Sequence, residues 1–235
     1  MTLEENIRQV REKMAQAARE VGRDPGEITL VAATKTQSDD TIRSAIAAGI
    51  TVCGENRVQE MTAHLDADTY AGAGLHFIGH LQTNKVKQVV GRVDLIESVD
   101  SERLLGAIDK QAAQLDLVQD ILIEVNIGGE ESKSGVTPAE VEALARLACR
   151  LPHVRLRGLM AIPPVVSDKG NREFFHKMYE IYVDIIQKMP HNKNDINCLS
   201  MGMSGDYMDA VREGATLVRV GTALFGARPP LPPRA

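Results

Sequence analysis

The chain has 235 residues, enough to bury a substantial core in one barrel or in two small domains. A formal charge of −5 and the lack of a dense Lys/Arg run argue against nucleic acid or an anionic membrane as the main partner. Cys53, Cys149 and Cys198 are far apart and lack CxxC spacing, and no stretch has the length of a signal or membrane-spanning segment, so a reduced, cytoplasmic setting is expected.

Taken in order, Leu3, Ile7, Val10, Met14, Ala17, Ala18 and Val21 recur every three or four positions and predict an amphipathic helix that Gly22 stops. The turn Arg23-Asp24-Pro25-Gly26 leads into the first strand, from Ile28, whose apolar run Val31-Ala32-Ala33-Thr34 ends on Lys35. Ser38 or Asp39 caps the next helix, which carries Ile42, Ala45, Ile46 and Ala48 and closes at Gly49. The strand–helix unit then repeats. Further strands are expected at 51–54, 75–79, 93–99, 121–126, 154–162, 196–200 and 217–221, and helices opening at 55–61, over 84–90, near Ser101, around Val141 to Ala148, and over 171–188 and 206–213. Eight strands alternating with helices, without hairpin signals, predict a single α/β domain, a (β/α)₈ barrel over residues 1–226 with an extra N-terminal helix covering its bottom. Residues 227–235 form a Pro-rich tail that cannot be helix or sheet interior.

Lys35 then sits at the carboxyl end of the first strand, where such folds keep their chemistry. Alone, a lysine there is most simply a charge reaching for solvent. Partly desolvated, it is suited to imine formation with a carbonyl. The loops after strands seven and eight bear on the choice. Met201-Gly202-Met203-Ser204-Gly205-Asp206 offers two glycines and a hydroxyl, and Gly221-Thr222 a small residue and a second hydroxyl, at the places where barrels bind phosphate. Each loop by itself also reads as an ordinary cap or tight turn. Together with Lys35 they imply a phosphorylated aldehyde held as an imine, with pyridoxal 5′-phosphate (PLP) the candidate. The six histidines are scattered, and no metal site is expected.

The motifs Thr34-Lys35-Thr36, Gly54-Glu55-Asn56-Arg57, His76-Phe77-Ile78-Gly79-His80, Lys133-Ser134-Gly135, Ser200-Met201-Gly202-Met203-Ser204-Gly205 and Arg219-Val220-Gly221-Thr222 resemble those of the pyridoxal phosphate homeostasis proteins, relatives of the alanine racemase barrel. The resemblance, which runs to Gly226, implies an alanine racemase-like fold with Lys35 as the imine lysine. It also implies Ser204, Gly205, Gly221 and Thr222 around the phosphate, Arg219 beside the pyridine nitrogen, and Ser200 and Met201 walling the cofactor. Asn56 reads either as a polar contact to the cofactor or as a cap in its own turn. Departures from the family pattern at Ser38, Cys53, Leu75 and Glu97 are expected to affect packing and loop stiffness rather than cofactor chemistry.

Two functions follow from the resemblance. One is a PLP carrier or buffer without robust turnover, influencing amino-acid and keto-acid balance and supplying PLP-dependent apo-enzymes. The other is a PLP-dependent amino-acid racemase, which needs a base on each face of its substrate. The two-domain racemases take the second base from a partner-subunit tyrosine, and here only Tyr207 lies near the phosphate loop. A carrier without catalytic residues is therefore expected, as a monomer, because the racemase dimer interface depends largely on the second domain.

Overall fold

Eight parallel strands pair in chain order and close into a barrel where the first meets the eighth. They are β1 (Thr29–Ala33), β2 (Val52–Glu55), β3 (Gly74–Phe77), β4 (Leu95–Val99), β5 (Gln119–Glu124), β6 (Val154–Met160), β7 (Cys198–Ser200) and β8 (Leu217–Val220). The helices are α1 (Leu3–Glu20), α2 (Asp39–Ala47), α3 (Val58–Asp66), α4 (Glu102–Gln114), α5 (Val141–Ala148), α6 (Arg172–Lys188), α7 (Tyr207–Arg212) and α8 (Thr222–Phe225). This is the expected (β/α)₈ barrel. The computed structural model describes residues 2–130, 133–164, 171–189 and 195–226; the expected Pro-rich tail lies outside them. No helix among the described residues is long and apolar enough to cross a membrane.

Side chains alternate across each strand, so the barrel has two apolar regions. Leu30, Ala32, Cys53, Phe77, Ile96, Ile121, Ile123, Leu159, Leu199 and Val218 face outward and build the large core shared with the helices. Val31, Leu95, Leu122, Met160 and Leu217 face inward as a separate, smaller cluster. Space there is tight: a Cβ on inward-facing Gly54 would lie 2.8 Å from Val31 Cγ1 and 3.0 Å from Ile78 Cδ1. The same alternation, carried one or two residues toward the carboxyl ends, sends Lys35, Asn56, Glu97, Glu124 and Arg219 to the inside above this apolar floor.

Three local expectations are corrected. The extra helix α1 does not close the bottom of the barrel but stands in the outer ring against α2, α7 and α8. The helix after β8 is only four residues long and leaves room there, and Asn6 Nδ2 donates to Leu224 O at 2.8 Å while Arg212 Nε donates to Glu20 Oε2 at 2.8 Å. The segment after β3 is a 3₁₀ helix, Thr83–Gln88, rather than an α-helix. It is short, and Gln82 before it supplies no side-chain cap, so a tighter turn of poorer hydrogen bonds suffices. Glu55 belongs to a strand, not a helix, because β2 continues its pairing to Phe77 of β3. The helix α3 begins only at Val58.

Candidate functional site

A cavity of about 340 Å³ opens at the carboxyl ends of the strands. Lys35, Asn56, Ser204, Gly205, Arg219, Gly221 and Thr222 line it together. These come from the ends of β1, β2 and β8 and from the loops after β7 and β8. Ser200 and Met201, expected as cofactor walls, are not among the lining residues. Alternation along β7 turns Met201 outward with Leu199 into the large core, while Ser200 is fully buried beneath Arg219.

Lys35 sits in a turn closed by Gln37 N–H donating to Thr34 O at 3.0 Å. The next residue, Thr36, has φ 66°, a left-handed conformation that a β-branched residue seldom adopts. It is held there by its own N–H, which donates to Glu60 Oε2 at 3.0 Å. On the outward side, Glu55 Oε1 accepts from Thr34 Oγ1 at 2.5 Å and from Tyr70 Oη at 3.0 Å. Burial pushes the Glu55 carboxyl up, more than the hydroxyls of Thr34 and Tyr70 pull it down. The Glu55 pair of bonds joins the end of β1 to β2 and so fixes the relative positions of Lys35 and Asn56.

Arg219, 4% exposed, is held from below. Its Nη2 donates to Ala161 O at 2.8 Å, its Nη1 donates to Ser200 Oγ, and Nη1 lies 3.7 Å from Glu97 Oε2. Glu97 in turn accepts from Ser200 Oγ at 2.6 Å and pairs with His76 Nδ1 at 2.7 Å. Burial opposes the charge on Glu97, but the hydrogen bond and charge of His76, the Arg219 guanidinium and the Ser200 hydroxyl outweigh it and keep the carboxyl below its usual range. Burial likewise lowers the guanidinium's hold on its proton, against the opposing pull of Glu97, Glu124 and Asp206. The departure at Glu97 is therefore not a matter of packing or loop stiffness: it supplies the counter-charge to Arg219. Strand alternation in the sequence puts Glu97 on the same face as Leu95, but which face is the inner one is decided only in the closed barrel.

Beside β1, where β8 closes the barrel, backbone N–H groups of Gly221 and Ala223 converge on Ser204 Oγ, each at 3.2 Å. A Cβ on Gly205 would meet no atom within 4 Å, so this stretch presents open backbone to the cavity. Gly202 has a different task from the expected ligand approach. Its φ is 91°, and a Cβ there would fall 2.5 Å from Ala210 Cβ, so it lets the loop fold down onto α7. Converging amides, a hydroxyl and open backbone suit a phosphate. Asn56 Oδ1, on the cavity wall, is buried without a hydrogen-bond partner, an acceptor that a bound ligand can satisfy. The residues present thus fit a phosphorylated aldehyde. Glu124, Ser134 and His80 also line the cavity and were not expected there. The three cysteines are free thiols, with burial pushing Cys53 up to about 12 and Cys198 to about 11, far from the thiolate range of reactive cysteines.

The family model of the alanine racemase N-terminal domain matches residues 2–229. A pyridoxal phosphate homeostasis protein of Aquifex aeolicus is 42% identical over 229 residues, covering 95% of this chain and 97% of that one. One from Escherichia coli K12 is 41% identical, covering 95% of each. Among solved structures, PipY of Synechococcus elongatus PCC7942 with PLP bound superposes with a TM-score of 0.82 at 32% identity, over 96% of this chain and all of that one. An alanine racemase from Corynebacterium glutamicum, 13% identical with a TM-score of 0.66, shares the fold across 61% of its own length. The chain belongs to the pyridoxal phosphate homeostasis protein family, built on the barrel of the alanine racemase N-terminal domain.

Proposed function

We propose that this protein holds PLP as a Schiff base on Lys35 and acts as its carrier and buffer, protecting the aldehyde and passing it to PLP-dependent apo-enzymes. The observation that carries the reading is the single cavity in which Lys35, the Ser204-Gly205 and Gly221-Thr222 backbone and the buried Arg219 meet, in a chain 32% identical to one solved with PLP bound. When bound, PLP supplies a carbonyl for imine formation and a ring able to withdraw electrons. Ser204 Oγ and the nearby amides would hold the phosphate, Asn56 would offer an acceptor, and Arg219 would stand beside the ring nitrogen. A guanidinium keeps its proton, so it cannot give one to that nitrogen, and the ring is a weak electron sink. This favours holding the cofactor over the carbanion chemistry of a racemase. Tyr207, the tyrosine nearest the phosphate loop in sequence, is not among the residues lining the cavity. The reading includes a cytoplasmic monomer; light scattering of the purified protein tests the monomeric state. The cofactor assignment is tested by the visible spectrum with added PLP, borohydride reduction and peptide mass. A yellow band with the adduct on Lys35 is expected. No band, or an adduct spread over surface lysines, overturns it.

A further inference from the structure

Resting on that PLP reading, we infer that the β5 wall of the cavity is a recognition subsite for a primary ammonium group lacking an adjacent carboxylate. Glu124 is 5% exposed and lines the cavity, and its Oε2 is buried with no hydrogen-bond partner. Its other oxygen is already used, accepting from Ser134 Oγ at 2.8 Å. The wall is rigid. Val136 N–H donates to Glu124 O and Asn126 N–H to Val136 O, both at 2.9 Å, which zips the Ser134 loop onto the end of β5. Gly135 permits that approach, since a Cβ there would lie 2.6 Å from Asn126 N. A buried carboxylate oxygen left without a donor, beside the cavity that holds Lys35, calls for a donor brought by a ligand.

The charge on this wall selects the kind of donor. Behind the lining, Asp100 adds a second carboxylate that acts on Glu124 and pairs with the cavity-lining His80 Nδ1 at 3.3 Å. Apart from Lys35, the cavity-lining Arg219 is the full cation of the wall, and its guanidinium is committed to Ala161, Ser200 and Glu97. An alkylammonium gains Glu124 as acceptor. An α-amino acid brings the same nitrogen with a carboxylate that meets Glu124 as a like charge, with Asp100 behind it.

Such a subsite places an amine where it can displace Lys35 from PLP. The incoming nitrogen bonds to the cofactor's aldehyde carbon as the bond from that carbon to Lys35 Nζ breaks. With the imine nitrogen protonated before and after the exchange, the two protons shed by the incoming ammonium end on Nζ, which leaves as an ammonium, with no change in oxidation state. The test uses the PLP-loaded protein and follows loss of the protein-bound band with n-butylamine and with L-alanine, each rate divided by that compound's rate with free PLP. A normalised preference of about tenfold or more for n-butylamine is expected, the size of one like-charge repulsion in a partly screened cavity. Glu124→Gln should bring that preference close to one; using the ratio within each protein cancels any change in PLP affinity. A wild-type ratio near one overturns the inference whether or not the variant folds, as does an unchanged ratio in Glu124→Gln. Failure of any Lys35-linked band to form would instead overturn the PLP reading beneath it.

Discussion

Replacing Glu97 by alanine tests whether the barrel interior is organised around the Arg219 charge. The carboxylate lies 3.7 Å from Arg219 Nη1, and at an effective dielectric of about 20 such a pair is worth about 4 kcal/mol. The substitution also strips acceptors from His76 and Ser200, at about 1 kcal/mol each. Relief of the carboxylate's own desolvation offsets part of this, leaving a loss of about 3–5 kcal/mol, as expected when one partner of a buried pair is removed. For a chain of this size that lowers Tm by about 10 °C. Urea or thermal unfolding of the PLP-free protein measures it. The folded-state carboxyl is held below its ordinary range, so its contribution is complete above the unfolded-state value of about 4.5 and is lost as pH falls through the folded value. The gap between wild type and Glu97→Ala should therefore narrow below about pH 4. A loss under about 0.5 kcal/mol at pH 7, or a gap independent of acid, would refute the account of Glu97 as the counter-charge.

Glu124 moves the other way. Burial, reinforced by Asp100, pushes its carboxyl up despite Ser134, Arg219 and His80, so stability is fully present below the unfolded-state value and falls as pH rises toward the folded one. Glu124→Gln should accordingly stabilise the PLP-free protein at neutral pH, with the gain vanishing in acid; chemical unfolding across pH reads this, and a neutral-pH loss would contradict it. Gly54→Val should cost about 1–3 kcal/mol, because its Cβ alone would press within 2.8 Å of Val31 Cγ1 in the tight inner cluster; an unchanged unfolding midpoint would show that the floor is looser than described. Thr36→Gly should raise stability by about 0.5–1 kcal/mol, since φ 66° is strained for threonine and natural for glycine; a lower Tm would mean the turn beside Lys35 is held at no such cost.

The order of elements was legible in the sequence because each strand and each amphipathic helix carries a local pattern. The runs ending at Lys35 and Gly221, and the helix of Ile7, Val10 and Met14, needed no partner to be recognised. Lys35 and the glycine- and hydroxyl-bearing loops could be located for the same reason, each at the end of a strand. What lay beyond local pattern was which side of the barrel a residue faces and what meets it there. Met201 belongs to the large core, and Glu97 and Glu124 to the interior, through an alternation whose phase is fixed only when the strands close in register. The pairing of Glu97 with Arg219 and His76 joins β4, β8 and β3 across the barrel, so no local stretch of sequence contains it. Likewise, α1 stands in the outer ring because α8 is too short to fill its place, a matter of packed volume that a single helix pattern does not express.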